Sequence, residues 1–258
     1  MRLRILGCSG GIGGRHLRTT SMLLDHDVLI DAGTGVMDLS IAELAAIDHV
    51  FLTHTHLDHI AALPLMVDTV GEMRSTPLTV HASEAALTIL RHHIFNWSVW
   101  PDFSEIPSPE NPALRFQSFE PGQVRDLGQG RRISPLPADH TVPAVGYLLD
   151  SGRGSLAFSG DTGGCAAFWE VLNARTDLKA LIIECAFSNR EKRLSELSRH
   201  LCPSSLMSEL QQFAHVDHCD IYITHLKPGQ IELTMGEIET CLGDFRPRML
   251  QNNLVIEF

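Results

Sequence analysis

The stretch "VFLTHTHLDHI", residues 50–60, constrains this chain more than any other. An apolar run leads straight into three histidines and an aspartate: His54, His56, Asp58 and His59. On a helix, residues two apart point about 200° away from each other around the axis, so His54 and His56 would not share a target there. In an extended chain, positions i and i+2 lie on one side. The stretch therefore reads as a strand over 49–53 that delivers two imidazoles at its exit, with Asp58 and His59 following at the turn into a helix. Such an exit presents two ligands to one cation and two to a neighbouring one.

Each divalent cation takes about four to five ligands, and imidazole with carboxylate suits zinc, or manganese or iron at a more oxygen-rich position. Four residues cannot complete two sites. Three later positions repeat the same design, a polar residue ending an apolar β-like run: His140 in "LPADH", Asp161 in "LAFSGD" and His225 in "IYITH". The candidate metal ligands are thus His54, His56, Asp58, His59, His140, Asp161 and His225. Asp58 is also a candidate catalytic residue, orienting a nucleophilic water. Glu184, ending "ALIIE", is expected near the same rim, holding a ligand imidazole in one tautomer. Its other reading is a strand-end carboxylate at the surface.

The rest of the chain supplies a frame for this site. "LRILG" (3–7), "SMLLD" (21–25) and "DVLID" (27–31) read as a strand and a hairpin. Ser40 and Glu43 form a capping box that opens a helix ending near Ile47, and Ser83 caps another. "IAALPLMVDTVGEM" is helical in pattern, with Pro64 near its start or bending it. Residues 96–113 hold four prolines and no periodicity and read as a long loop. A β-rich stretch follows over 114–160, then alternating helices and strands. Two β-rich halves, each followed by helices, predict two packed sheets with helices outside, and 258 residues suit one domain, 1–258.

Composition narrows the partners. A formal net charge of −11 disfavours long nucleic acid, whose binding is dominated by lysine and arginine contacts to phosphate. The six cysteines are widely spaced without a C-x-x-C pair, which fits reduced thiols in the cytoplasm rather than a disulfide framework. No segment approaches the ~18 apolar residues of a membrane span, and the N-terminal apolar run is too short for a signal peptide.

The set His54-x-His56-x-Asp58-His59, then His140, Asp161 and His225, resembles the metallo-β-lactamase superfamily. The "GCSGG" turn after the first strand and "IDAGTG" at 30–35 match further landmarks. The resemblance implies an α/β fold, an αββα sandwich of two mixed β-sheets with helices on the outer faces. It also implies that His54, His56 and His140 hold one metal, that Asp58, His59 and His225 hold the other, and that Asp161 bridges them. Diiron flavoproteins of this fold carry Glu where His56 stands, which argues against oxygen reduction. "HTHLDHI", "VGYLLD", "LIIECAFSNRE" and "HLCPSSLMSEL" look like the class II cyclic-nucleotide phosphodiesterases, while "AALPLMVD" departs from their pattern.

The resemblance therefore implies a dinuclear hydrolase that opens 3′,5′-cyclic nucleotides (cAMP, cGMP) to 5′-nucleotides. Two metals lower the pKa of a water toward neutrality and clamp the phosphoryl oxygens in an in-line displacement. The alternatives are a ribonuclease Z-like tRNA 3′-processing enzyme, for which the three lysines offer no basic arm, a lactonase or thioesterase, and a metal-binding protein without turnover. A small-molecule substrate and a homodimer are expected. Trp97, Trp100 and Phe103 either stack on a purine or tack the long loop to the body. No residue stands out as general acid. "GGIGG" (10–14) reads as a rim turn, Trp169 as helix core, and His215 and His218 as capping or surface residues. His16, His26, His49, His81, His92, His93 and His200 are expected to be structural or exposed.

Overall fold

A computed structural model describes residues 1–14 and 16–258. Its strands run in chain order as β1 (Arg2–Gly7), β2 (Ser21–Leu24), β3 (Val28–Ile30), β4 (His49–Phe51), β5 (Leu78–Ala82), the small hairpin β6 (Pro107–Ser108) and β7 (Asn111–Pro112), β8 (Leu114–Ser118), β9 (Arg125–Gly128), β10 (Arg131–Pro137), β11 (Val145–Asp150), β12 (Ser155–Phe158), β13 (Leu178–Glu184), β14 (Asp220–Thr224), β15 (Arg248–Met249) and β16 (Val255–Glu257). One sheet has the order β16-β1-β2-β3-β4-β5-β8 and the other β15-β14-β13-β12-β11-β10-β9. Both are mixed: β1–β3 and β9–β12 pair antiparallel, whereas β3–β4–β5–β8 and β12–β15 run parallel.

Strand periodicity sorts the side chains into three layers. Leu3, Ile5, Met22, Leu24, Ile30 and Phe51 of the first sheet meet Ile133, Tyr147, Leu149, Phe158 and Ile182 of the second. Their sequence neighbours point outward. Leu23, Leu29 and Val50 pack under α3 (Leu63–Val70) and α4 (Glu84–His93), with α1 (Ile41–Ala46) and α2 (Leu57–Ile60) on the same side. Ala157, Leu181 and Ile223 pack under α5 (Ala166–Asn173), α7 (Pro203–Leu210) and α8 (Ile231–Leu242), with α6 (Lys192–Ser198) between α5 and α7 in sequence. Burial on both faces explains why the central strands read as continuous apolar runs. No described helix is long and apolar enough to cross a membrane.

The capping box at Ser40–Glu43 forms as expected, with Ile47 as the C-cap. Three expectations change. The helical pattern after the histidine cluster divides into α2 and α3, with Pro64 in the first turn of α3, where a missing N–H costs nothing. The strand at 114–118 joins the first sheet beside β5 rather than the second. The loop at 96–113 contains the β6–β7 hairpin and is anchored: Phe103 is buried and Trp100 half-buried against the α3–α4 core, while Trp97 stands 61% exposed. Tacking, not base stacking, is thus the observed role of Trp100 and Phe103. Trp169 is core, its Nε1 donating to Glu209 Oε2 at 2.7 Å.

Candidate metal centre

All the predicted site residues converge where strands of both sheets end. His54 and His56 follow β4, and Asp58 and His59 open α2. His140 follows β10, Asp161 follows β12, Glu184 closes β13 and His225 follows β14. The exits are conformationally demanding. Gly160, just before Asp161, has φ +61°, and His225 and Asp31 sit in the same left-handed region at φ 63° and 54°. Non-glycine residues rarely adopt it, and such strain clusters at functional sites.

Three convergent donor sets result, one of them Asp161, Glu184 and His200; the other two are built from the expected ligands. His54, His56, His140 and Asp161 each offer a ligand atom within 4.8 Å of the others, as do Asp58, His59, Asp161 and His225. Asp161 belongs to both. Its Oδ2 lies 3.6 Å from His54 Nε2 and 3.3 Å from His59 Nε2, and its Oδ1 lies 3.3 Å from His225 Nδ1. In the first set, His56 Nδ1 is 3.1 Å from His54 Nε2 and 3.2 Å from His140 Nε2. Ligands on a tetrahedral zinc, with Zn–N near 2.05 Å, sit roughly 3.3 Å apart. The donor spacing therefore fits a cation.

Neighbouring groups select which nitrogen faces inward. Asp31, fully buried, accepts from Thr53 N (2.7 Å), Thr53 Oγ1 (2.8 Å) and His59 Nδ1 (2.7 Å). With its hydrogen given to Asp31, Thr53 Oγ1 accepts from His54 Nδ1 at 3.0 Å. His140 Nδ1 donates to the Arg199 carbonyl at 3.0 Å. All three rings then present a bare Nε2, the arrangement that outer partners impose on metal-binding histidines. His59 Nε2 and both nitrogens of His225 are buried without a hydrogen-bond partner among the described residues, a cost that a divalent cation relieves.

Protonation favours the same outcome. Burial pushes His54 far below the usual imidazole range, His140 down to about 4 and His225 down to about 3. Burial alone raises a carboxyl, yet His225, His59 and His54 together hold Asp161 well below the carboxylate range. Burial likewise lowers His59, but Asp161 and Asp31 outweigh it and raise that imidazole, so cation binding there displaces a proton. The cluster is a set of imidazoles kept neutral by burial, His59 excepted, around a charged carboxylate.

Glu184 is not at the surface but fully buried, and it holds a residue outside the expected ligand set. Its Oε1 accepts from His200 Nδ1 at 2.6 Å and from Thr162 N at 2.9 Å, and its Oε2 accepts from Ala186 N and Leu201 N. His200, expected to be structural or exposed, instead stacks on His225 (5.1 Å between centroids) and meets His140 edge-on (4.9 Å). Burial lowers its pKa, but Glu184 more than compensates and raises it. No strand pattern or ligand-like spacing marks His200, because it follows a short helix and a left-handed Arg199. Asp31 was visible only as the last residue of "DVLID" and as part of "IDAGTG".

Residues 26–230 match the family model described as "Beta-lactamase superfamily domain". The chain belongs to this superfamily, whose members of this kind are metal-dependent hydrolases, and it has their fold and a divalent-metal donor cluster. Among curated relatives, it is 28% identical over 206 residues to a "Probable 3',5'-cyclic-nucleotide phosphodiesterase" of Yersinia pestis, covering 71% of this chain and 58% of that protein. It is 26% identical to a "3',5'-cyclic-nucleotide phosphodiesterase" of Aliivibrio fischeri, covering 86% and 80%. It is 31% identical over 154 residues to a "Ribonuclease Z" of Clostridium beijerinckii, covering 56% and 47%. The matches thus span about half the length of the Yersinia and Clostridium relatives. Among solved structures, unliganded yeast PDE1 superposes with a TM-score of 0.83 at 17% identity, covering 100% of this chain and 99% of that one. The Bacillus subtilis fold protein YhfI gives 0.76 at 18%, with the same coverages. At these identities the superpositions show the fold.

Proposed function

We propose that the chain is a dinuclear metal-dependent phosphodiesterase that opens 3′,5′-cyclic nucleotides to 5′-nucleotides, with residues 1–258 acting as one catalytic domain. The observation that carries this reading is Asp161 facing two donor sets at once. His54, His56 and His140 would hold one cation and Asp58, His59 and His225 the other, with Asp161 shared between them; zinc would suit the imidazole-rich set best. Such a pair, when bound, acidifies a water and neutralises phosphoryl oxygens. Asp58, less enclosed than the other candidate ligands of its set, orients that water. The six free thiols fit a reducing compartment such as the cytoplasm.

His200 fills the role the sequence left open. The 3′-oxygen leaves as a poor alkoxide and needs a proton, and His200, gripped at Nδ1 by Glu184, keeps Nε2 to supply it. Glu184 is then a positioning residue. The two phosphodiesterase relatives support the substrate class, and the acidic charge disfavours a polyanionic nucleic acid far more than one small monoanion. The Clostridium relative favours a second reading, tRNA 3′-processing.

Zinc-loaded protein is to be assayed on cAMP, cGMP, bis(p-nitrophenyl) phosphate, a lactone and a precursor tRNA, with metal per chain measured alongside. We expect two metals and turnover of the cyclic nucleotides; cleavage of precursor tRNA alone would overturn the substrate. His200→Asn should slow cAMP hydrolysis roughly 100-fold or more while sparing the nitrophenyl ester, whose leaving group needs no proton. Equal losses on both substrates would remove His200 from proton transfer.

A further inference from the structure

We propose that Lys227 is the group of this site that engages the negative charge of the substrate's phosphoryl oxygens, a role that rests on the phosphodiesterase reading above. Lys227 lies two residues beyond His225. Its backbone N donates to the Ala186 carbonyl at 3.2 Å and its Nζ donates to the Gly10 carbonyl at 2.7 Å. The ammonium also lies 5.9 Å from the centre of the Phe187 ring, whose edge meets His200 at 5.7 Å. The lysine is therefore clamped between the Gly10 turn and the segment after β13, beside both the proposed proton donor and the second donor set.

The clamp leaves the charge available. An ammonium has three donors, and the Gly10 carbonyl takes one without neutralising it. Arg199, a second cation at this rim, is committed: its Nη1 donates to Asp139 Oδ1 at 2.8 Å and to the His140 carbonyl at 3.1 Å. Gly10 is what allows the close seat. A Cβ there would collide with the His225 carbonyl and lie 3.1 Å from Lys227 Cδ, so "GGIGG" packs on the ligand-bearing turn rather than merely framing it. A lysine held by a carbonyl and a ring has already lost its rotamer freedom, so an arriving anion meets a fixed cation.

A purely structural lysine would tie the Gly10 turn down and do nothing else, and the two roles are separable. Zinc-loaded wild type, K227Q and K227R are to be titrated with inorganic phosphate by calorimetry, and KM and kcat for cAMP measured at several ionic strengths. We expect K227Q to bind phosphate about tenfold more weakly and to raise KM for cAMP by a similar factor, with metal content still two and a flatter dependence of KM on salt. K227R should recover most of both. Unchanged phosphate affinity in K227Q, or K227R as weak as K227Q, would overturn the assignment. A wild type that binds phosphate through Lys227 yet leaves cAMP intact would sink the cyclic-nucleotide reading and leave this one standing.

Discussion

Strand β4 carries a histidine at its start, His49, and another three residues past its end, His54, and the two ends behave differently. At the start, His49 Nδ1 meets His81 Nε2 at 3.1 Å, and His81 stacks flat on Phe51, 4.3 Å between centroids. His81 Nδ1 is buried without a partner among the described residues, much like His225 at the other end. Yet among the described residues, every convergent donor group lies at the His54 end. The difference is the carboxylate. Asp161 joins the imidazoles at one end and Asp31 orients two of them, while at the other end histidine serves as an aromatic. Histidine density does not make a metal site; a shared, buried negative charge does.

The largest break in that contrast should come from Asp161→Ala. Metal content, read by mass spectrometry of the digested protein, should fall from two to below one, with an activity loss beyond the roughly 100-fold typical of outer-shell partners. Full occupancy in this variant would show that the bridge is misassigned. Asp31→Asn comes next. It leaves the shape but weakens the grip on His59 and Thr53, and should cost about 10- to 100-fold in zinc affinity by competition with a chelator.

The smallest effect sits at the quiet end. Burial, with Arg125 and His49 adding to it, pushes His81 down to about 3, so the folded protein holds it neutral and unfolding takes up a proton below about 6.5. Its contribution is intact above the unfolded pKa and is lost as pH falls from about 6.5 toward 3, by up to about 1.4 kcal/mol per unit. His81→Phe, with its ring kept on Phe51, should leave metal content at two and flatten that acid dependence in denaturant titrations. An unchanged pH slope would mean that His81 is already protonated in the fold.

Much of the candidate site was legible because its candidate ligands sit at strand exits, where a local rule, an apolar run ending in a polar residue, predicts position and direction together. That rule finds His54, His140, Asp161 and His225 from sequence alone. It is blind to His200, whose place depends on a buried carboxylate contributed by another element, and it misjudged Glu184, whose partner is that same histidine. The two-sheet sandwich followed from alternating β-rich and helical halves, but the transfer of residues 114–118 to the first sheet depends on parallel pairing across a long connection, which no local pattern announces. The 96–113 segment is a loop over most of its length, as it reads, but its sequence announces neither the β6–β7 pairing nor the anchoring. Its anchor, Phe103, is buried in the core cluster that also holds residues of α3 and α4, a contact that no repeat along the segment announces.

The single carboxylate of Asp161 between the two donor sets has a thermodynamic consequence. Two cations that share an anionic ligand do not load independently: the first fixes the carboxylate and the imidazoles around it, and the second meets an altered site. Whatever factor one cation contributes to the affinity of the other is returned in equal measure. The centre is therefore expected to fill and empty as a linked pair.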